Sequence, residues 1–405
     1  MRIACPHEKI KSILLKSAQS LSTLTYKLRS PALIQLEQLC EQYCHVPRIP
    51  PRKVTVIGAG SDVGRIVCML LKQQKVIRTL AMYDEHPARC VIGVATDIAH
   101  IDTSPAVEAY QGRTFLKKAL NDADVVLICG GAYVSPPCCN ILDRDLFFQN
   151  MPFVRSAALA SAEFAPHAIV AVQTPPVDAN FTLVKYTMKA ARRYNKRKVL
   201  GINSVSSMRA NQLFCAVGGM DPTANQLPVV CGTGRCTRVP CFSVPVKKPN
   251  SWSHTEVKNL TRLVREADEL ICKVKSNYEQ GHLSIGFATA RFVTCLMKGL
   301  FEGSAYIDSA LVEQGSPSQC FNMKYCSTPV NVSKGGISQY LIPKLDGYES
   351  SLLEDSKLDL EDMLNLGRCF ASGDDYYLPH EKVWPCLYPS KDCPVVEPCG
   401  KKAKN

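Results

Sequence analysis

Residues 53–84 read KVTVIGAGSDVGRIVCMLLKQQKVIRTLAMYD, and this stretch decides the fold. It begins with a short β-branched run, residues 53–57, of the kind that forms a strand buried on both faces of a sheet. Apolar residues then recur at helical spacing from residue 63 to about residue 74, which predicts a helix. A second apolar run, residues 79–83, predicts another strand. A tight turn with three glycines separates the first strand from the helix: Gly58, Gly60 and Gly64.

The second predicted strand is followed directly by an acid, Asp84. In this order of elements a dinucleotide pyrophosphate lies at the helix N-terminus and the acid binds a ribose hydroxyl. Asp84 favours NAD over NADP, because its carboxylate would repel a 2′-phosphate. The glycine spacing is one residue longer than the commonest pattern, and Asp62 places a negative charge near the predicted pyrophosphate. A nucleotide site is the interpretation we favour, and a sheet turn without a ligand is the alternative.

Length and charge limit the class of protein. A chain of 405 residues can bury a large core and should form two or more domains. No run of about 18 apolar residues occurs, so we expect no membrane-spanning helix. The net charge is +12, and residues 1–53 supply +6 of it through nine Lys or Arg against three Glu. The rest of the chain is mildly basic and has no Arg/Lys run with interleaved aromatic residues, so nucleic acid is not an expected partner.

The chain contains 20 cysteines, but they are scattered. None forms a Cys-x-x-Cys pair, and the spacings match no common zinc pattern. We therefore predict no metal site, and we expect most of the cysteines to be reduced residues of the core.

The two ends of the chain differ from its body. Residues 1–52 are predicted to be a basic extension, of which the first thirty residues are rich in Ser and Thr and resemble a mitochondrial transit peptide. A solvated extension without a targeting role is the alternative. Residues 371–405 are rich in Pro, Tyr and Cys without periodicity, which predicts an irregular tail.

Between these ends, buried-strand patterns alternate with helical patterns. Residues 124–129 and 168–173 predict strands, residues from about 146 predict a helix, and residues 199–211 predict a strand followed by a helix. The expected fold class is therefore α/β, with a Rossmann-type doubly wound parallel sheet and helices on both of its faces.

Several short motifs occur in one order along the chain. They are GAG (58–60), YD (83–84), DIAHI (97–101), DVVLICGG (124–131), RDLFFQN (144–150), LGINSVSSMRAN (200–211), LPVVCGTGRCTRVP (227–240), LSIGFATARF (283–292) and CSTP (326–329). In this order and spacing the chain resembles the mitochondrial-type malate dehydrogenases, within the lactate/malate dehydrogenase superfamily, over roughly residues 53–370. The resemblance implies an NAD-binding Rossmann domain at residues 53–198 and a mixed α/β substrate domain at residues 199–370. It also implies a small dicarboxylate ligand and commonly a homodimer, and a heterodimer with a paralogue is the alternative. Together with the N-terminal segment, it favours the mitochondrial matrix over the cytoplasm.

In this family a His oriented by an Asp acts as the base, and arginines bind the substrate. The position of the His is occupied by Thr233, which cannot act as a base near neutral pH, and the position of the Asp by Ser206. Arg209, which the resemblance assigns to a substrate carboxylate, is retained. With no catalytic residue intact, we expect a catalytically impaired relative. The alternative is an active NAD-dependent malate dehydrogenase or another 2-hydroxy acid oxidoreductase.

The family's mobile loop is altered as well. Its two arginines align with Val134 and with Asn140 or Asp143, and Arg144 could substitute after a register shift. The asparagine of the family's Asn-Pro turn is absent from the sequence Thr174-Pro175-Pro176. The cofactor-binding positions that the resemblance implies are better retained: Gly58, Gly60, Gly64, Asp84 and Asn150.

Four other residues have side chains that could carry chemistry. His282 is a candidate relocated base, although we favour a polar loop histidine. His100 is interpreted as structural, near a subunit interface. Cys138 and Cys139 are candidate reactive thiols, but nothing in the surrounding sequence would lower their pKa, so ordinary loop cysteines are the preferred interpretation.

Overall fold

The computed structural model describes residues 51–132, 143–245, 247–249, 252–275 and 280–371. The basic extension predicted for residues 1–52 and the tail predicted for residues 371–405 therefore lie almost entirely outside the described residues. Four residues of the altered loop also lie outside them: Val134, Cys138, Cys139 and Asn140.

Six parallel strands form the first half of the sheet. They are β1 (Lys53–Ile57), β2 (Thr79–Asp84), β3 (Ala106–Gln111), β4 (Val125–Ile128), β5 (Ile169–Val172) and β6 (Val199–Ile202). Their spatial order is β3-β2-β1-β4-β5-β6, and every neighbouring pair is parallel. The order reverses between β1 and β4, which opens a crevice beyond the carboxyl ends of these two strands. The predicted doubly wound parallel sheet is confirmed.

Helices connect these strands on both faces of the sheet. They are α1 (Asp62–Leu71), α2 (Val91–Ala99), α3 (Leu116–Leu120), α4 (Asp143–Phe164) and α5 (Val177–Ala190). Side chains alternate along each strand, so Val54 and Val56 join a core with α1 and α2, while Ile57 joins a core with α4 and α5. Burial of both faces explains why the parallel strands read as continuous apolar runs.

The second half of the chain extends the same sheet with antiparallel strands. These are β7 (Val229–Cys231), β8 (Arg238–Pro240), β9 (Ala305–Glu313), β10 (Tyr325–Ser333) and β11 (Gly336–Tyr340). β9 pairs antiparallel with β6, and the order continues as β10-β7-β8 with β11 on the side of β10. The parallel part thus includes β6, which lies just beyond the domain boundary expected at residue 198.

Four helices and several short turns complete this half. The helices are α6 (Ser204–Gly218), α7 (His254–Val274), α8 (His282–Glu302) and α9 (Gly347–Ala371). α7 begins with a capping box in which Ser253 and Glu256 bind each other's backbone N–H. Single turns of 3₁₀ helix lie at Pro87–Arg89, Arg113–Phe115, Pro222–Ala224 and Pro317–Gln319.

One of the described helices, α8, is long and apolar enough by length and composition to cross a membrane. It belongs to the protein core, since 56% of its most apolar window is buried. Gly286 brings it against Ile66 of α1, where an added Cβ would lie 2.5 Å from the Ile66 side chain.

Candidate functional site

The crevice at the end of β1 is built by the glycine turn. Gly58 has φ +93°, and a Cβ there would lie 2.2 Å from Gly130 Cα, so only glycine allows the ends of β1 and β4 to meet. Ser61 caps α1 by accepting a hydrogen bond of 3.0 Å from the Gly64 N–H. The first turn of α1 therefore presents backbone N–H groups at the crevice, as a bound pyrophosphate requires.

Asp84, the predicted ribose ligand, is fully buried. Its Oδ2 accepts a hydrogen bond from Gly60 N at 3.1 Å, and its Oδ1 accepts one from His86 N at 3.1 Å. Arg89 Nη1 lies 3.9 Å from Oδ2. Burial raises the pKa of Asp84, and Arg89 with the two backbone donors opposes that shift. Both carboxylate oxygens are thus engaged inside the protein.

The residues fit NAD at one end of the crevice and not at the other. The glycine turn and the start of α1 match a pyrophosphate, whereas the acid for the ribose lies beneath Arg89.

Asp62 is turned to the surface with 71% of its side chain exposed, and its carboxylate lies 3.9 Å from His282 Nδ1. The expectation of a loop histidine at position 282 is wrong, because His282 is the first residue of α8.

Asn150, the other predicted cofactor residue, has its amide fully occupied by protein atoms. Its Nδ2 donates to Ala132 O and to Pro175 O, each at 2.7 Å, and its Oδ1 accepts from Ala132 N at 2.7 Å. The side chain therefore ties the end of β4 to the turn after β5.

A cavity of about 600 Å³ lies beyond the carboxyl ends of β5 and β6. The turn between β7 and β8 and the helix α7 form its other walls. Thr233 and Ser206, which are 27 positions apart in the chain, both line it. The structure thus brings together the two positions that the resemblance assigns to the catalytic pair. Other lining residues include Asp143, Pro175, Pro176, Arg238, Asp268 and Cys272.

Arg209 lies one turn after Ser206 on α6 and is already paired. Its Nη1 donates to Asp268 Oδ1 at 2.6 Å, and Arg238 Nη2 donates to Asp268 Oδ2 at 2.7 Å. Burial alone would raise the pKa of Asp268, but Arg238 and Arg209 outweigh it and hold that pKa well below its ordinary value. Asp268 therefore stays ionised and neutralises the cation that a substrate carboxylate would need.

Asp178 is a functional candidate that sequence reasoning missed. It lies in the first turn of α5 and is buried, and its carboxylate accepts hydrogen bonds from Thr233 N at 3.0 Å and from Gly234 N at 3.2 Å. Burial raises the pKa of Asp178 to about 6, although the hydrogen bonds from Thr233 and Gly234 oppose the shift. In the sequence it was indistinguishable from an ordinary acid at a helix N-terminus.

The remaining predicted residues are spread over the protein. Arg144 does not substitute for a loop arginine at this cavity, because it lines a separate groove with Phe148, Tyr186 and the end of α9. His100 is an exposed residue at the C-cap of α2, with Nδ1 2.8 Å from Thr96 O. Thr174 is buried and donates to Gly130 O at 2.8 Å.

Neither cysteine chemistry nor a metal centre is evident in the part of the chain that the structure describes. Among the described residues, Cys68, Cys215 and Cys231 are buried and reduced. No group of three or more His, Cys, Asp or Glu side chains among these residues is arranged to hold a metal ion.

Two family descriptions match consecutive parts of the chain. The lactate/malate dehydrogenase NAD binding domain matches residues 52–201, and the lactate/malate dehydrogenase alpha/beta C-terminal domain matches residues 205–371. The malate dehydrogenase of Mannheimia succiniciproducens is 32% identical over 324 residues, which cover 79% of this chain and all of that protein. The chain belongs to the lactate/malate dehydrogenase family. Residues 52–201 are accordingly the family's NAD-binding domain, and NAD is the cofactor of that domain.

Mitochondrial members of the lactate/malate dehydrogenase family are similar at a lower level. Malate dehydrogenase of Caenorhabditis elegans is 29% identical over 323 residues, 80% of this chain and 92% of that protein. Solved structures of the family share the fold: Picrophilus torridus malate dehydrogenase has a TM-score of 0.68 at 17% identity, covering 80% of this chain and 99% of that one. Cryptosporidium parvum lactate dehydrogenase, solved with lactic acid and NAD, has a TM-score of 0.67 at 18% identity and covers 79% of this chain and 98% of that one.

Proposed function

We propose that this protein is a catalytically impaired member of the lactate/malate dehydrogenase family that retains the fold and NAD binding and acts as a binding or structural subunit. The observation that carries the proposal is the pairing of Arg209 with Asp268 at 2.6 Å. The Asp268 carboxylate binds Arg209, the cation that the family resemblance assigns to a substrate carboxylate. A dicarboxylate such as malate would have to displace Asp268 from Arg209.

The chemistry at the cavity supports the same conclusion. Oxidation of a 2-hydroxy acid needs a base for the hydroxyl proton, and a hydroxyl side chain such as Thr233 does not ionise near neutral pH. Ser206 offers no charge to orient or stabilise a base. Removal of the members of such a catalytic unit lowers the rate by several orders of magnitude.

The test is oxaloacetate-dependent oxidation of NADH by the purified protein, with the Mannheimia succiniciproducens relative assayed in parallel. We expect turnover well below about 1 per second, compared with roughly 10 per second for a median enzyme. Turnover at or above about 1 per second would overturn the proposal. Thermal unfolding with and without NADH checks binding separately from turnover, since a ligand of the folded state raises the melting temperature.

The second candidate function is an active NAD-dependent malate dehydrogenase or another 2-hydroxy acid oxidoreductase. The observation that favours it is Asp178, whose carboxylate binds Thr233 N at 3.0 Å and has a pKa raised to about 6. Under this candidate the Thr233 hydroxyl relays the proton of the substrate hydroxyl: it accepts that proton and donates its own to the Asp178 carboxylate. Under this candidate, turnover would rise with pH through an apparent pKa near 6, and Asp178→Asn would abolish both the turnover and that dependence.

Partners and location are further parts of the proposal. We propose a homodimer, or a heterodimer with a paralogue, on the basis of exposed Leu283 and Phe287 on α8. We propose the mitochondrial matrix as its location on the basis of the basic, Ser/Thr-rich residues 1–30. Mass spectrometry of the mature N-terminus from cells tests the location, because an intact Met1 would contradict a cleaved transit peptide.

A further inference from the structure

A short segment, residues 85–90, crosses the cofactor crevice, and we call it the strap. It follows Asp84 at the end of β2, contains the 3₁₀ turn Pro87–Arg89, and ends at Cys90 just before α2. Cys90 has φ +43°, a left-handed conformation that residues with a side chain rarely adopt. The backbone thus turns at Cys90, between the strap and α2.

The strap packs directly on the glycine turn. A Cβ at Gly60 would lie 2.7 Å from Arg89 Cβ and 3.0 Å from Arg89 O, so the backbone of the strap occupies the space beside Gly60. Arg65 joins the two segments, because its Nε donates to Gly60 O at 2.9 Å and its Nη2 donates to Arg89 O at 3.4 Å. In a dinucleotide-binding fold the second glycine of the turn is the point at which the backbone must approach the cofactor.

The guanidinium of Arg89 spans the crevice. Nη1 lies 3.9 Å from Asp84 Oδ2 at the end of β2, and Nη2 donates to Gly131 O, beyond the end of β4, at 3.4 Å. β1 lies between β2 and β4 in the sheet, so the side chain passes over the carboxyl end of β1. This is the position of the cofactor in the doubly wound fold.

We propose that the strap closes the adenosine-ribose half of the cofactor site, so that NAD binds only after the strap moves away from Gly60. The Asp84 carboxylate is not accessible to a ribose hydroxyl in the present arrangement, since it is fully buried with Arg89 Nη1 3.9 Å from its Oδ2. The affinity for NAD is then reduced by the fraction of molecules in which the strap is open. The contacts given for Arg89 lie at the glycine turn and at the ends of β2 and β4.

The test compares Arg89→Ala with Arg193→Ala, which removes one exposed positive charge elsewhere in the same domain. Calorimetric titrations use three probes: NADH, ADP-ribose and nicotinamide mononucleotide. We expect Arg89→Ala to bind NADH and ADP-ribose at least about tenfold more tightly than the wild type, with nicotinamide mononucleotide unchanged. We expect Arg193→Ala to match the wild type.

Three other results would overturn the proposal. Weaker binding by Arg89→Ala would identify Arg89 as a phosphate ligand, and equal, measurable binding by both proteins would show that the strap does not control access. Binding of NADH to neither protein would overturn the retained NAD binding on which this proposal rests. Arg65→Ala, which loosens the strap without removing Arg89, is a second variant if the first does not fold, and it should shift affinity in the same direction. Hydrogen exchange gives an independent readout on the wild type: NADH should raise exchange in residues 85–90, and protection there would contradict the proposal. All of these measurements concern binding, so their outcome is separate from the turnover test.

Discussion

At the scale of single residues, Asp268 determines what the cavity can bind. Its carboxylate holds Arg209 at 2.6 Å and Arg238 at 2.7 Å, which balances part of the positive charge at this end of the cavity. Asp268 supplies from within the chain the negative charge that a substrate carboxylate would otherwise provide, so Arg209 and Arg238 are already paired. The Asp268 side chain is 36% exposed, so solvent reaches its carboxylate and a bound anion can displace it from Arg209.

Asp268→Asn should convert the cavity into an anion site. With the counter-ion removed, Arg209 and Arg238 should bind oxalate or malate at least about tenfold more tightly, a difference of about 1.4 kcal/mol. The melting temperature should fall, because two cations lose their partner at a cost of roughly 2 kcal/mol, moderated by the exposure of the site. Calorimetric titration with each dicarboxylate measures the first effect.

Glu354→Gln is the matched control for this change. Glu354 lies on α9 and pairs with Lys357 at 2.6 Å, and neither residue lines the cavity, so its loss removes an equal charge elsewhere. Dicarboxylate affinity in Glu354→Gln should equal that of the wild type. If Asp268→Asn gains no affinity over this control, Arg209 is not restrained by Asp268 in the way proposed.

Asp178 makes stability depend on pH at the same cavity. Its pKa is raised to about 6 by burial, above the ordinary value of 3.8. A carboxyl whose pKa is raised by folding stabilises the folded state fully when the pH is below its pKa in the unfolded chain. That stabilisation is lost as the pH rises through its pKa in the folded protein. The window runs from about pH 4 to about pH 6, and a difference of about 2 units corresponds to roughly 3 kcal/mol.

Asp178→Asn should therefore flatten the pH dependence of the melting temperature. Between pH 4 and pH 7 the wild type should lose roughly 3 kcal/mol more stability than the variant, which carries no titratable group at this position. Exposed Asp97→Asn provides the control and should follow the wild type. Parallel curves of melting temperature against pH for the wild type and Asp178→Asn would show that the Asp178 carboxyl is ionised equally in the folded and unfolded states.

At the scale of elements, the contact between α9 and α5 closes one face of the sheet. Gly367 of α9 lies against α5 so closely that a Cβ would be 1.9 Å from Ala179 O and 2.4 Å from Thr182 Oγ1. Thr182 also donates to Leu364 O at 2.8 Å, which joins the two helices by a buried hydrogen bond. The small size of residue 367 thus sets the distance between the helices.

Gly367→Ala should push α9 away from α5 and break this hydrogen bond. We expect a loss of about 3 kcal/mol, at the upper end of the range for overpacking, since the Thr182 hydroxyl keeps Ala179 O as an acceptor at 3.0 Å. Gly347→Ala, at the other end of the same helix, meets nothing within 4 Å and should leave the melting temperature nearly unchanged. Equal melting temperatures for the two variants would mean that the helices are free to separate.

At the scale of the whole molecule, α8 has two different faces. One face packs in the core, while Leu283 and Phe287, four residues apart on the opposite side, are 68% and 49% exposed. Apolar side chains exposed together on a helix are typical of a subunit interface. This surface supports the proposed dimer.

Leu283→Glu combined with Phe287→Glu should separate the dimer into monomers. Each introduced carboxylate would have to be buried without a partner, so the subunits should no longer associate. Sedimentation equilibrium should give about twice 44.6 kDa for the wild type and 44.6 kDa for the variant. Leu358→Glu, at an exposed position on α9, should stay dimeric. A monomeric wild type would refute the proposed homodimer.

Local sequence patterns predicted the first strands, the glycine turn and the helix after it, because side-chain periodicity and glycine conformations are properties of neighbouring residues. They also predicted the alternation of strands and helices, and the ordered motifs led to the right family. They did not distinguish His282 at a helix start from a histidine in a loop, since the N-cap residue Gly281 makes no side-chain capping hydrogen bond.

The states of the two sites were decided by contacts between distant parts of the chain. Arg209 and Asp268 are 59 residues apart, Asp178 and Thr233 are 55 apart, and Arg89 reaches Gly131 across 42 residues. The retained Arg209 and Asp84 read from the sequence as binding residues, yet the folded chain engages both with partners of its own. Residue identity defines which groups are present, but only packing defines which of them are already paired, because charge pairing and burial depend on distances that the linear order does not contain.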